Sequence, residues 1–455
     1  MRAGGALAAG WPLRGYSECS TGLRSGQPPA AAPTLRGAWC SLVHVLSRPF
    51  IALYVAVFVA TMGISMVSPL LPVYAKDLGA SGVWLGLTFS VFAVVQTFVG
   101  PFAGRLSDRY GRKPFIVAGL LIYVVAALGY LTAQSFYQVI AFRAFSGLGT
   151  SFIFSVARAY VGDMTPAGRE GRWMGAFATA DIIGFGTGPL IAGVLRQLVG
   201  FHSVFVAMAA LLALSAFVIA VWLPRHSPAE RRQSAVPSPR PAQKSLREAL
   251  GDPLVMALTT HMALVSVGFG ATFAFLALRL EDGLGASPIL IGVAFATQDL
   301  TAGVAQPVFG RLADRFDRRP LVAIGLLLNG VLLIALGFAP SYALSVTLLL
   351  AMGGAGALSQ VAAGAIQVVA GRRSGMGTVL GLGSAGGGAG IVIGSVVGGL
   401  LVDQSGIGAA FLFGGLVMGA GVPVFLWLTR GLATSEELGL RPVGDTQLEV
   451  PVAGR

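Results

Sequence analysis

The sequence predicts an all-α membrane protein: twelve transmembrane helices in two pseudo-symmetric six-helix bundles. Three observations carry that prediction. The segment GRLSDRYGRKP at Gly104–Pro114 returns 206 residues later as GRLADRFDRRP at Gly310–Pro320, with seven of eleven positions identical. Apolar residues make up 55% of the 455-residue chain and charged residues 11%, against roughly a quarter charged in a soluble domain. All but five of the 31 Lys and Arg fall in alternate gaps between the apolar runs or in the two tails.

The repeat extends upstream, where Pro101 falls on Pro307, Gly86 on Gly292 and Phe89 on Phe295 at the same shift. A period of nearly half the chain makes a duplicated bundle the unit of architecture. Crossing the hydrocarbon core takes about 20 apolar residues. Twelve such runs lie near 49–75, 82–105, 114–133, 136–162, 171–198, 202–223, 252–280, 286–311, 320–339, 341–369, 375–402 and 406–429. Lipid offers backbone amides no partners, so runs this continuously apolar are helices rather than alternating barrel strands.

The five basic exceptions are Lys76, Arg143, Arg158, Arg196 and Arg279. This is the positive-inside pattern, and it puts both termini and the central linker on the cytoplasmic side. The net charge of +12 therefore records topology and not a nucleic-acid partner.

The runs divide the chain into a tail (1–48), a first bundle (49–223), a linker (224–251), a second bundle (252–429) and a C-terminal tail (430–455). Both tails are read as cytoplasmic, the first as disordered, with an organelle transit peptide or an over-extended start as alternatives. It is rich in Gly, Ala, Pro and Arg and lacks the apolar core of a secretory signal. It also holds the only cysteines, Cys19 and Cys40, so no disulfide framework is implied. Five prolines (Pro224, Pro228, Pro237, Pro239, Pro241) mark the linker. Glycines inside the spans, such as Gly381, Gly383 and Gly386–Gly388, let helices approach closely in lipid.

Gly104, Leu106, Asp108, Arg109, Gly111, Arg112 and Lys113 form a pattern that resembles the loop signature of the major facilitator superfamily. The second copy departs from it only at Asp317, in place of the inner Gly. Gly63 with Pro69, Leu70 and Pro72, and Arg143 with Gly147 and Gly149, are similar to motifs of the drug-exporter branch. In the fifth run, Gly175, Gly184, Gly188, Pro189 and Gly193 follow the spacing of its antiporter motif, with Ala192 where that family has Gly. The equivalent second-half run has Gly377, Gly386 and Gly390, and Ile391 in place of Pro.

The resemblance, over 49–429, implies a monomeric drug:proton antiporter of the plasma (inner) membrane. It would export small amphipathic or cationic compounds by alternating access around a central cavity. It would use the proton gradient and no cofactor. On the plainer alternative, the Gly/Pro pattern is only a packing device.

The basic turn raises a separate question. Arg105, Arg109, Arg112 and Lys113 can simply anchor helix ends in the headgroup zone, but anchoring does not explain Asp108. A carboxylate there can gain and lose partners between two conformations, which makes a latch. The resemblance gives the latch as Gly104, Asp108, Arg109, Gly111, Arg112 and Asp163, with Asp314 and Arg315 in the second copy. It places Arg109 opposite Asp163 and Asp108 toward the eleventh span.

Ionisable groups at mid-span cost roughly 2.5–3.5 kcal/mol even on permissive scales, so each is a functional candidate. Asp181 and Asp299, one from each half, are read as proton or substrate-cation sites, with Arg143 holding one of them charged. The alternative is ion pairing that only fixes helix packing. Gln96, Gln298, His261, Gln360 and Phe269 would add polar and aromatic contacts to a mostly apolar cavity, with plain packing the alternative for each. Arg158 and Asp403 lie near span ends, where snorkelling makes a structural role the simpler reading.

The chain has no GxxxxGK[ST] loop and no His/Cys metal spacing, which argues against an ATP-driven pump or an enzyme. Other cargo in the same architecture (a sugar, a metabolite or a lipid-linked glycan) remains an alternative. So does a non-transporting scaffold or sensor, although that would leave the embedded acids unexplained.

Overall fold

The computed structural model describes residues 48–165, 170–223 and 246–430. The expectations for most of both tails, for Cys19 and Cys40 and for linker residues 224–245 lie outside the described residues. Of the first 51 residues, only the opening turn of the first helix is described, and the compact unit that carries the bundles begins at Ala52.

Helices α1 (Arg48–Val67) and α2 (Leu71–Asp77) share the first span. The break between them falls at Pro69, which has no amide proton to give a helix. The first bundle continues with α3 (Gly82–Tyr110), α4 (Arg112–Thr132), α5 (Phe136–Met164), α6 (Glu170–Leu198) and α7 (Phe201–Trp222). A five-residue helix α8 (Leu246–Leu250) lies in the segment read as linker. The second bundle is α9 (Pro253–Leu284), α10 (Pro288–Arg315), α11 (Arg318–Gly337), α12 (Tyr342–Ser374), α13 (Met376–Ser405) and α14 (Ile407–Leu428). Twelve helices among the described residues are long and apolar enough to cross a membrane, so this is an integral, multi-pass membrane protein of all-α class.

Several helices outrun their apolar runs. Helix α3 continues five residues past the expected edge and α10 four, because backbone hydrogen bonding persists where Arg side chains reach the headgroups. The first basic turn is thus almost entirely helical, with only Gly111 between α3 and α4. Gly111 has φ of 98°, a left-handed conformation that suits glycine. Asp317 solves the same corner differently: at φ of −58° its carboxylate accepts from the Arg319 amide at 3.1 Å and caps α11.

The 206-residue repeat reappears as a pseudo-two-fold relation between contacts. A Cβ on Gly193 of α6 would strike Pro288 of α10, and one on Gly399 of α13 would strike Gly82 of α3, the same pair shifted by one repeat. Gly292 against Pro189 repeats as Gly86 against Ser395, and Gly303 against Ile182 as Thr97 against Gly388. The α6–α10 and α3–α13 seams are therefore equivalent.

Both seams are closed at one end only. Past Ile182–Gly303 and Thr97–Gly388, a Cβ added to a glycine of these helices would meet no described residue of the facing bundle: at Gly100, Gly383, Gly386 and Gly387 it would touch only its own bundle, and at Gly175, Gly310, Gly104, Gly381 and Gly377 it would meet no described atom within 4 Å. The bundles thus meet at the ends away from the basic turns and splay apart toward them.

Candidate functional site

Four phenylalanines roof the point where the seams begin to part. Phe269 stacks on Phe273 at 4.0 Å between ring centroids. Phe273 also meets Phe295 of α10 at 5.3 Å and Phe185 of α6, in the other bundle, at 6.0 Å. Such offset and tilted pairs stabilise an apolar junction. Phe269 keeps 39% of its surface exposed.

One helical turn toward the open end from this roof, each bundle presents an acid: Asp181 four residues before Phe185, Asp299 four residues after Phe295. Because α6 and α10 run antiparallel along their seam, Asp181 adjoins the last seam contact, Ile182–Gly303, while Asp299 lies one turn inside it, its Cβ facing Gly186 of α6. Beyond them, an apolar recess of about 410 Å³ runs along α10, lined by Leu300, Thr301, Val304, Ala305, Val308 and Phe309.

The surroundings of the two acids differ. Asp181 accepts from Thr61 Oγ1 at 3.0 Å and faces Arg158 of α5 at 3.7 Å. Asp299 is half-buried; its Oδ2 is sealed without a hydrogen-bond partner, and no Arg, Lys or His of the described residues reaches it.

The expected role of Arg143 is corrected, since Arg158 and not Arg143 meets a cavity acid. The two arginines lie fifteen residues apart on α5, so they share a face but stand about 22 Å apart along the axis. Arg143 is 3% exposed and lies over the Phe92 and Phe89 rings at 4.3 and 5.2 Å, beside the phenols of Tyr123 and Tyr130. No carboxylate of the described residues pairs with it, and cation–π contact is its main compensation.

His261 is drawn away from the cleft. It shares a buried stripe of α9 with Leu254 and Leu258, and its Nε2 lies 2.6 Å from Ser359 Oγ inside the second bundle. Gln96 and Gln298 are half-buried on α3 and α10, and Gln360 is exposed on α12.

The antiporter-motif glycines divide by contact. Gly184 and Gly188 let α6 press on the α1 backbone at Phe58 and Met62, while Gly193 abuts α10. Gly390 and Gly394, the same positions one repeat on, reproduce the first arrangement against Ala263 and Val267 of α9, and Gly386 extends it by a turn against Thr259. Ala192 fills the core with Met66, Leu70 and Val204, so its methyl has a place.

At the basic turn, Arg112 and not Arg109 meets Asp163. Arg112 bonds that carboxylate through Nε and through Nη2 at 3.3 Å, and it also reaches Ser107 Oγ at 3.3 Å and Asp108 at 3.0 Å. Arg109, Asp314 and Arg315 are exposed, and Gly104 stands in open space.

The Major Facilitator Superfamily model matches residues 53–280 and 262–447. An uncharacterized MFS-type transporter, MJ1560 of Methanocaldococcus jannaschii, is 34% identical over 160 residues, which is 35% of this chain and only 42% of that relative. The quinolone resistance protein NorA of Staphylococcus aureus is 27% identical over 300 residues, 65% of this chain and 75% of NorA. Among solved structures, the nucleoside transporter NupG aligns with a TM-score of 0.69 at 15% identity, covering 84% of this chain and 98% of NupG. A bacterial homolog of the human lysosomal transporter Spinster aligns with a TM-score of 0.66 at 16% identity, covering 88% and 96%.

Proposed function

Because the chain belongs to the Major Facilitator Superfamily, we propose that it is a proton-coupled antiporter exporting small amphipathic or cationic compounds across the plasma membrane. The observation that carries this reading is the pair Asp181 and Asp299, one from each bundle, below an aromatic roof in a cleft sealed at one end. An acid with no counter-cation among the described residues, such as Asp299, can hold either a proton or a substrate cation but not both, and that exclusion couples the two flows.

With the basic turns and both termini in the cytoplasm, the splayed end faces inward. Cargo enters from the cytoplasm or inner leaflet, meets the ionised acids and is released outside once the bundles rock about the roof. Proton loading from outside resets the cycle. Asp108 latches the opposite state, in which the basic-turn ends meet. NorA, a resistance protein, supports the drug-efflux direction at modest identity.

The test is ethidium flux in proteoliposomes under an imposed pH gradient, with an internal pH dye reading the protons. The Asp181→Asn/Asp299→Asn double variant is expected to fold and insert into vesicles normally yet lose gradient-driven flux. Undiminished gradient-dependent flux in that variant sinks the proposal.

A further inference from the structure

Arg158 is an odd neighbour for a site that handles only cations. Its side chain is 62% exposed in the cleft, and its contact with Asp181 is 3.7 Å through one nitrogen, well beyond the roughly 2.7–2.9 Å of a firm charge-assisted bond. Among the described residues no other acceptor holds it, so most of its guanidinium donors can take one from a ligand. If Arg158 turns away, Asp181 keeps the Thr61 hydroxyl at 3.0 Å.

On the facing bundle the imbalance has the opposite sign. Asp299 carries a sealed, unpartnered oxygen and meets no cation among the described residues. Between the two bundles, the open face of Phe269 offers an aromatic surface.

A simple cation would answer Asp299 and leave Arg158 loosely held. A simple anion would answer Arg158 and leave Asp299 bare. A ligand with a carboxylate at one end, an ammonium or delocalised cation at the other and a ring between them answers all three features.

We propose that the cleft selects zwitterionic aromatic amphiphiles, with Arg158 reading the ligand's carboxylate and Asp299 its cationic group. The proposal rests on the exporter reading for the location of the site and adds the class of cargo. Arg158 is then the residue that determines specificity, and Asp299 is shared by every cationic ligand.

The experiment uses the purified full chain in detergent and two dyes, rhodamine B, a zwitterion at neutral pH, and its ethyl ester, a cation of nearly the same shape. Fluorescence anisotropy reads the affinity of each. A carboxylate–guanidinium hydrogen bond makes wild type prefer the free acid by about tenfold. Arg158→Gln is expected to abolish that preference by weakening rhodamine B, with the ester changing less than about twofold on the same scale. Arg158→Lys keeps a reduced preference, and Asp299→Asn weakens both dyes.

If wild type binds both dyes equally, or Arg158→Gln keeps the preference, the zwitterion assignment is overturned while the exporter reading stands. If the preference follows Arg158 but neither dye moves under a pH gradient in vesicles, the exporter reading is overturned and the assignment stands. Should Arg158→Gln not purify as a folded protein, Arg158→Lys carries the same comparison, and an undiminished preference there counts against the proposal.

Discussion

Arg196 of α6 and Glu281 of α9 clasp each other across the closed end, with Nη1 and Nη2 donating to the two carboxylate oxygens at 2.8 and 2.6 Å. The guanidinium also stacks over Phe201 at 4.2 Å and is 9% exposed. A two-pronged, partly desolvated pair is worth more than an ordinary surface ion pair, about 1–2 kcal/mol after allowing for the exposure of Glu281. Glu281→Gln should therefore lower the population of this splayed state about tenfold relative to its alternative. Spin labels on Tyr110→Cys and Phe316→Cys, with Cys19 and Cys40 replaced by Ser, would report a shorter distance at the basic-turn end. The swap Arg196→Glu/Glu281→Arg should restore the long distance.

Nearby, each bundle caps a helix of the other. Asp403 of α13 accepts from the Gly82 and Val83 amides of α3 at 2.6 and 3.1 Å, and Gln197 of α6 accepts from the Ile289 amide of α10 at 3.4 Å. These are the same two positions one repeat apart, one occupant charged and the other neutral. Losing an N-cap costs about 1 kcal/mol, and a carboxylate gains further from the helix dipole. Asp403→Ala should shift the label distance further toward closure of the basic-turn end than Gln197→Ala, with Asp403→Asn between them. An equal response to the two alanine variants would contradict this ranking.

The seam glycines make a third prediction. A Cβ on Gly86 would enter the Ser395 backbone and one on Gly292 the Pro189 backbone, so Gly86→Leu and Gly292→Leu should both keep the sealed end from closing. External reagents should then reach a cysteine placed at Ser90, which in wild type is buried and bonded to Ser395 Oγ at 2.8 Å. Gly104→Ala and Gly310→Ala, in open space here, should leave that accessibility unchanged.

The duplication is legible because lipid forces helices and because both copies keep Gly and Pro where helices touch. The shift that aligns Gly86 with Gly292 aligns the two seams in space, and it equally pairs Gln197 with Asp403 once their helix ends are compared. Charge partners are much less legible. A sequence does not show which way a neighbouring helix faces, and matching Arg143 to the cavity acids also overlooks depth, since Arg158, four turns further on, lies near the level of Asp181 and meets it. The same blindness pairs Arg109 with Asp163 in place of Arg112. His261 can be placed by its spacing: with Leu254 and Leu258 it completes an i, i+4, i+7 stripe that marks a packed face.

Asp108 offers the sharpest separation between anchoring and switching. In the splayed state, its side chain is 59% exposed and, among the described residues, meets only Arg112, at 3.0 Å and one turn away. Arg112 is independently held by Asp163 and Ser107. Removing so exposed an i, i+4 pair costs about 0.5 kcal/mol or less, so Asp108→Asn should leave thermal unfolding in detergent and the Tyr110–Phe316 label distance nearly unchanged. Transport should nevertheless fall about tenfold or more, because the missing charge acts in the other conformation, where the basic-turn ends close and a coupling of about 1–3 kcal/mol is at stake. A variant with normal flux would reduce Asp108 to a bystander. One with a large fall in unfolding temperature would make it an anchor of this state.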